Sequence, residues 1–149
     1  MAVNLSRPND PAKPQETLAA LSAYIAARIF DDYCSVDEYR AFVTHGVAST
    51  GQDVTTVEHA VDLELERMGA ANELRLLAEL DSALNRFTAS DRKLDAKEKD
   101  DAVQLVCKSR PGFRHGLRYE VAQAAILAYC RAHNVKQKKP GLFSSWAVP

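Results

Sequence analysis

Long apolar runs are missing from this chain of 149 residues, and no segment reaches the roughly 18 consecutive apolar residues that a transmembrane helix requires. The amino terminus also lacks the basic start and apolar stretch of a secretory signal peptide. It carries Pro8, Pro11 and Pro14 among polar residues instead. We therefore expect a cytoplasmic protein that does not associate with a membrane.

Cysteine is scarce, and its spacing excludes two further classes of protein. Cys34, Cys107 and Cys130 are an odd number without a close pair, which argues against a disulfide scaffold and favours a reducing compartment. Zinc bound by Cys130 and His133 would need two more ligands, and neither a CxxC nor an HxxxH spacing is present. We therefore predict no cofactor.

Signatures of catalysis are absent as well. The chain has no glycine-rich phosphate loop, no G-x-S-x-G elbow and no H-E-x-x-H motif. Cys34 lies near Asp31, Asp32 and His45 in the sequence, but a Cys–His nucleophile needs these groups within hydrogen-bond distance. We expect a protein that is not an enzyme, and a small Cys/His enzyme is the third hypothesis for its function.

Aromatic residues make up only 7% of the chain, and no segment alternates polar and apolar residues with a period of two. No sheet is therefore predicted. What is present is helical periodicity, as in the stripe formed by Val57, Val61 and Leu65. These patterns predict an all-α, single-domain bundle of about six helices over residues 17–134.

The ends of the bundle are predicted from composition. Residues 1–16 and 135–149 should form extended tails, because prolines and polar residues interrupt any helical pattern there. The last helix is expected from about Phe113 to His133. Its middle, "VAQAAILAYC", is apolar almost all the way round, which is typical of a helix at the centre of a bundle.

Two links between helices have matching sequences, 60 residues apart. The first joint, "DDYCSVDE", runs over residues 31–38, and the second joint, "DRKLDAKE", over residues 91–98. Ser35 with Glu38, and Asp95 with Glu98, have the spacing of a capping box, in which each residue bonds to the other's backbone amide. Thr55 with Glu58 has the same spacing and predicts a third capping box. The match indicates a faint internal repeat of a helix–turn–helix unit.

The same joints resemble the "D-G-x-I-S-x-x-E" joint of TerB-like helical domains, which are associated with tellurite resistance. The resemblance covers about eight residues twice over, and Asp32 and Arg92 stand where that pattern has glycine. It implies an alternative function, a helical domain that binds a divalent metal through acids of the joints. The candidate ligands are Asp31, Glu38, Asp91, Asp95 and Glu98.

Positive charge is concentrated near the carboxy terminus. Between Lys108 and Lys139 eight basic residues face a single acid, Glu120, whereas the first 107 residues carry a net charge of −8. Arg114 and Arg118 are four apart and should share a face at the start of the last helix. The candidate anion-binding residues are Lys108, Arg110, Arg114, His115, Arg118, Lys136, Lys138 and Lys139.

Several partners are compatible with this basic region. A nucleic acid or a nucleoprotein complex would be attracted by it, as would another acidic protein. Alternatively the basic residues neutralise the acidic faces of helices three and four, in the same chain or in a second copy. Arginines that are already bound by carboxylates of their own chain would need no external partner. The acids considered for that role are Glu58, Asp62, Glu64 and Glu66.

Three large apolar residues follow the basic region in a segment too short and broken for a helix: Leu142, Phe143 and Trp146. We interpret them as a tail anchor. Together with the basic region they lead to the first hypothesis, a non-enzymatic adaptor that holds a protein or nucleoprotein partner, or forms a homo-oligomer.

Overall fold

The structure, a computed structural model, describes residues 16–137. Within that range the chain forms six α-helices, so the prediction of an all-α fold with about six helices is confirmed. Most of residues 1–16 and 135–149, the predicted tails, lie outside the described part. The helices are α1 (Leu18–Ala26), α2 (Val36–Thr50), α3 (Val54–Met68), α4 (Glu73–Thr88), α5 (Ala96–Cys107) and α6 (Tyr119–Ala132).

Four strands of two residues each accompany the helices, where no sheet was predicted. β1 (Tyr33–Cys34) pairs in parallel with β2 (Ala71–Asn72), and β3 (Lys93–Leu94) pairs in parallel with β4 (Lys136–Gln137). A strand of two residues is too short to show any alternation in the sequence.

The capping boxes predicted at the two joints are both formed, whereas the one predicted for Thr55 and Glu58 is not, because Asp53 caps α3 instead. The side chain of Ser35 accepts a hydrogen bond from the amide of Glu38, and the carboxylate of Glu38 accepts one from the amide of Ser35. Asp95 and Glu98 do the same at the start of α5. The capping boxes therefore mark the starts of α2 and α5, as their spacing predicted.

The chain contains an internal repeat, and the repeated unit is larger than a helix–turn–helix. The order α1, β1, α2, α3, β2 in the first half recurs as α4, β3, α5, α6, β4 in the second. Each half closes by pairing the strand of its joint with the strand that follows its third helix. The repeat predicted from the joints thus extends to units of three helices.

The core consists of two apolar clusters, one centred on each half, and the second also contains Tyr33 and Ala71 of the first half. The first contains Leu21, Tyr39 and Val61 from α1, α2 and α3, and the second contains Leu84 and Ile126 from α4 and α6. Helix α4 packs against α5 and α6 in its own half and also against α2 in the first. It is the helix that joins the two halves.

Helix α6 differs from its prediction in two respects. It packs mainly against α4 and α5, so it is central to the second half rather than to the whole bundle. Ala124 and Ala128 are exposed on its outer side. Alanine is counted as apolar but is often found at the surface, so an alanine-rich helix can have an apolar sequence on every face and still be exposed on one of them. It also begins at Tyr119 and not near Phe113.

Residues 108–118, the 108–118 loop, are irregular and connect α5 to α6. This loop carries most of the basic residues singled out by the sequence. None of the helices in the described part of the chain is both long enough and apolar enough to cross a bilayer.

Candidate partner-binding site

The 108–118 loop is fixed to the body of the protein at its carboxy-terminal end. Leu117 is buried, and its amide donates a hydrogen bond of 2.7 Å to the carbonyl oxygen of Val106. Gly116 lies so close to the end of α5 that a Cβ atom there would collide with the carbonyl group of Cys107. The backbone at the carboxy-terminal end of the loop is therefore held against the end of α5.

The three arginines of the loop all pair with carboxylates of their own chain. Arg110 donates from both terminal nitrogens to the two carboxylate oxygens of Glu79. Arg114 Nη1 lies 3.2 Å from Asp32 Oδ2. Each partner acid belongs to a distant segment, so the loop is tied both to α4 and to the first joint.

Arg118 pairs with the first joint as well, and its Nη2 atom lies 3.3 Å from Asp31 Oδ2. Its guanidinium carbon lies 4.1 Å from the ring centroid of Tyr33, which is a cation–π contact. The hydroxyl of Tyr33 donates to the carboxylate of Glu73, which also accepts from the amide of Val36 at 3.2 Å. Burial, with the hydrogen bond to Glu73, raises the pKa of Tyr33 above its ordinary value.

The pairing differs in kind among the three arginines. The Arg110–Glu79 pair has two parallel hydrogen bonds, the strong geometry for a guanidinium and a carboxylate. Arg114 and Arg118 each donate a single hydrogen bond to a single carboxylate oxygen. Their side chains are 75% and 52% exposed, so most of their N–H groups face solvent.

A cavity of about 410 Å³, the first cavity, opens beside Arg114 and Arg118. Asp31, Tyr33 and the backbone of Gly116 also line it. The arginines predicted to share a helix face are thus brought together by the loop instead. They line one cavity because Asp31 and Asp32, which are adjacent in the sequence, draw both of them to the first joint.

A second cavity of about 330 Å³ lies on the other side of His115 and Gly116, which line both. Lys108 and Arg110 line this second cavity. Neither Lys108 nor His115 makes an ion pair with a residue of the described range 16–137.

Two large exposed aromatic residues are sequence neighbours of residues that line the first cavity. Phe30 is 88% exposed and precedes Asp31, and Tyr119 is 50% exposed and follows Arg118. Because Asp31 and Arg118 are paired, the two segments that carry these aromatic rings are held together. Sequence reasoning did not select Phe30, although a phenylalanine next to two aspartates at a helix end is a signal for exposure.

The remaining basic candidates are not part of this site. Lys136 lies in β4 beside Lys93, at the second joint, so the basic region is not one continuous patch. Lys138, Lys139, Leu142, Phe143 and Trp146 lie outside the described residues.

Asp31, Asp32 and Glu38 of the first joint each have a partner within the chain in this structure. Asp31 pairs with Arg118, and Asp32 pairs with Arg114. One carboxylate oxygen of Glu38 accepts from both the amide and the hydroxyl of Ser35, at 2.8 and 3.0 Å. The carboxylates are therefore directed to different neighbours.

The acids of the second joint are similarly dispersed. Asp91 accepts from the amide of Lys93 at 3.0 Å, and Asp95 and Glu98 are engaged in the capping box. No group of three or more His, Cys, Asp and Glu side chains is placed to hold a metal ion anywhere in residues 16–137. The ligand set implied by the TerB-like resemblance is thus not assembled, because capping and ion pairing separate its members.

The cysteine candidates are unsuited to nucleophilic chemistry. Cys34 is fully buried, and this burial raises the pKa of its thiol to about 12. Burial also raises the pKa of Cys107 and of Cys130. A thiol in this state is protonated at neutral pH and is a poor nucleophile.

His45 is engaged elsewhere. Its ring stacks on Tyr24 at 3.7 Å between centroids, and Nε2 lies 3.7 Å from a carboxylate oxygen of Glu16.

Comparison of this chain with models of protein families, with curated proteins and with solved structures finds no match.

Proposed function

We propose that this protein is a non-enzymatic binding module, an adaptor that engages an acidic segment of a protein partner. The proposed contact surface, called the arginine face, consists of Arg114 and Arg118, which line the first cavity, together with Phe30 and Tyr119, the exposed sequence neighbours of Asp31 and Arg118. The free state of the three cysteines, Cys34, Cys107 and Cys130, fits the cytoplasmic location that we propose for it.

The observation that carries this proposal is the single hydrogen bond made by each of Arg114 and Arg118. A guanidinium has five N–H donors, so several on each residue are free to bind another carboxylate. Exposed ion pairs contribute only about 0–1 kcal/mol, so rearranging the present pairs costs little. The two arginines can therefore bind a partner while remaining near Asp31 and Asp32.

The exposed aromatic side chains supply the apolar part of such a contact. Burying a phenylalanine side chain contributes about 1.5–3 kcal/mol, and 88% of Phe30 is available for burial. Arginine and tyrosine are also enriched among the residues that dominate binding energy at protein interfaces. A partner segment with carboxylates beside an apolar side chain would match this combination.

The same geometry favours a protein over a nucleic acid or nucleoprotein partner. Asp31 and Asp32 lie within 3.3 Å of the two guanidinium groups, where they would repel a chain of phosphates. A peptide can place one carboxylate against each guanidinium with uncharged residues between them, whereas every link of a nucleic-acid backbone carries a negative charge. Neither the TerB-like metal hypothesis nor the Cys/His hypothesis is supported by an observation in residues 16–137.

A binding assay with defined probes tests the proposal. The probes are a short fluorescein-labelled peptide of alternating glutamate and leucine, a lysine–leucine peptide of equal length, and a single-stranded oligonucleotide of charge equal to the acidic peptide. We expect the acidic peptide alone to bind. The double variant Arg114→Gln/Arg118→Gln should weaken it about tenfold or more, the loss expected for charge-assisted hydrogen bonds.

Matched controls separate the arginine face from general charge. Arg40 and Arg131 are exposed arginines on α2 and α6, so Arg40→Gln/Arg131→Gln changes the net charge equally and should leave binding unchanged. Phe30→Ala should weaken binding, and Leu63→Ala, at an exposed leucine of α3, should not. Tighter binding of the oligonucleotide, or equal losses in both arginine double variants, would rule the proposal out.

A further inference from the structure

The second cavity lies between the two halves of the protein. The last turn of α3 and strand β2 line it from the first half, and α4 and the 108–118 loop line it from the second. Its volume of about 330 Å³ is at the lower end of the range of about 300–1,000 Å³ that small-molecule sites occupy. The cavity is therefore suited to a ligand about as large as a free amino acid.

The backbone around this cavity is held by contacts between the halves. A Cβ atom on Gly69, which ends α3, would collide with the carbonyl oxygen of Gly112, so the loop lies directly against the end of α3. The amide of Phe113 donates to the carbonyl oxygen of Arg110 at 3.0 Å, which closes a turn around Gly112. Because the walls are already in contact, a ligand has little backbone to order on binding.

Four charged side chains that line the cavity cancel in two pairs. Asp62 accepts two hydrogen bonds from the guanidinium of Arg75, at 2.7 and 3.1 Å. Arg110 pairs with Glu79. These pairs leave no net charge for a ligand to neutralise.

Three other ionisable side chains line the same cavity without an ion pair to any residue of the range 16–137. Glu66 belongs to α3, and Lys108 and His115 belong to the 108–118 loop. All three are exposed. Glu66 and Lys108 thus present opposite charges to one cavity, one from each half of the protein, without pairing with each other.

A zwitterion matches this arrangement of charges. Its ammonium group can donate to the carboxylate of Glu66, and its carboxylate can accept from the ammonium of Lys108 and from a ring N–H of His115. A simple anion or a simple cation would leave one of the two opposite charges without a partner.

The apolar part of the cavity indicates which side chain the zwitterion carries. Leu65 and Ala70 are buried in the core, whereas Phe113 is partly exposed in the cavity wall and can be reached by a ligand. An aromatic ring packs favourably on another in a stacked or edge-on arrangement. We infer that the second cavity is a binding site for a free aromatic amino acid. This inference is independent of the arginine face.

Isothermal titration calorimetry of the full chain with three probes tests the inference. The probes are L-phenylalanine, 3-phenylpropionate, which lacks the ammonium group, and phenethylamine, which lacks the carboxylate. We expect phenylalanine to bind, and each analogue to bind about tenfold more weakly or worse, because each forfeits a hydrogen bond to a charged group.

Two variants assign the ends of the ligand. Glu66→Gln should weaken phenylalanine binding about tenfold and should not weaken binding of 3-phenylpropionate, which has no ammonium group to lose a partner. Lys108→Gln should weaken binding of both carboxylates and leave phenethylamine unaffected. Both side chains are exposed, so the helical circular dichroism should be retained in each variant.

Matched controls remove the same charges away from the cavity. Asp100→Asn on α5 and Lys93→Gln in β3 change exposed residues that do not line it, and they should leave phenylalanine binding unchanged. Failure of phenylalanine to bind, equal affinities for the three probes, or equal losses in the control variants would overturn the inference.

The double variant Arg114→Gln/Arg118→Gln separates this site from the arginine face. It should leave phenylalanine binding unchanged, because neither arginine lines the second cavity. A loss as large as that of Lys108→Gln would place the ligand in the first cavity and would also overturn the inference.

Discussion

Asp32 and Arg92 occupy the same position in the two halves of the protein and share an unusual backbone conformation. Their φ angles are 55° and 52°, in the left-handed region. The carbonyl oxygen of Asp32 accepts from the amide of Ala71 at 2.9 Å, and that of Arg92 accepts from the amide of Lys136 at 3.1 Å. The turn at each joint thus directs a carbonyl to the strand that closes its half. Both residues stand where the TerB-like joint has glycine.

Replacing Arg92 by glycine should stabilise the protein by about 1 kcal/mol, because the left-handed conformation costs that much for a residue with a Cβ atom. The hydrogen bond that is lost, from Arg92 to the carbonyl of His133 at 3.4 Å, is long and exposed. Urea unfolding monitored by circular dichroism measures the change. Arg86→Gly, within α4, should instead destabilise by about 1 kcal/mol. A loss of stability in Arg92→Gly would show that the turn is not strained.

Removing the capping side chains should destabilise each half separately. Ser35→Ala and Asp95→Ala are each expected to cost about 1 kcal/mol, because each leaves a first-turn amide without its acceptor. Ser82→Ala, at an exposed position within α4, is the control and should cost nothing, since alanine is the better helix former. The free energies of unfolding can be compared in guanidinium chloride. If Ser35→Ala and Ser82→Ala proved equally stable, the capping box would have no energetic role.

The buried hydrogen bond between Tyr33 and Glu73 should contribute strongly to stability. Tyr33→Phe leaves a carboxylate that is 9% exposed without its hydroxyl donor, and a loss of about 1–3 kcal/mol is expected. Tyr119→Phe removes the hydroxyl of a side chain that is 50% exposed and should have no effect on stability. Thermal unfolding of both variants provides the comparison. Equal melting temperatures would mean that Glu73 is satisfied without Tyr33.

Burial of Cys34 predicts both its reactivity and a dependence of stability on pH. Its thiol pKa is about 12 in the folded protein, against an ordinary value of 9.0. The unfolded chain therefore loses this proton at lower pH than the folded chain, and stability falls as pH rises from about 9 to about 12.

In native protein near neutral pH, iodoacetamide should modify Cys107, which is partly exposed, well before Cys34.

Mass spectrometry of tryptic peptides measures the order of modification. In urea the three cysteines should react at similar rates, which is the control for their intrinsic reactivity. Modification of Cys34 as fast as that of Cys107 in the native state would contradict the predicted burial.

The start of α6 shows why one part of the site escaped prediction. Arg118 precedes the helix and makes no side-chain capping bond, so no Ser, Thr, Asp or Asn marks the boundary. The last helix was predicted to begin near Phe113, directly after the interruption of the helical pattern at Pro111. The break instead extends to Arg118, because Leu117 is buried and its amide bonds to Val106. The burial of a single loop residue such as Leu117 leaves no periodic pattern in the sequence from which it could be predicted.

The acids that neutralise the loop also escaped prediction. Glu58, Asp62, Glu64 and Glu66 were considered, whereas the observed partners are Asp31, Asp32 and Glu79. Asp62 pairs with Arg75 at 2.7 Å, and Glu64 pairs with Arg67. The expectation that acids of the same chain would pair with the basic residues is thus confirmed for the arginines, but with other acids.

The amino-acid sequence by itself determined the helical class, the capping of α2 and α5, and the repetition of the joint. These features depend on periodicity and on hydrogen bonds between side chains and nearby amides, three residues apart. Only the tertiary structure decided that Arg114 meets Asp32, 82 residues away, and that Arg118 meets Asp31, 87 residues away. Such contacts follow from how the two halves pack, and local sequence carries no record of that geometry.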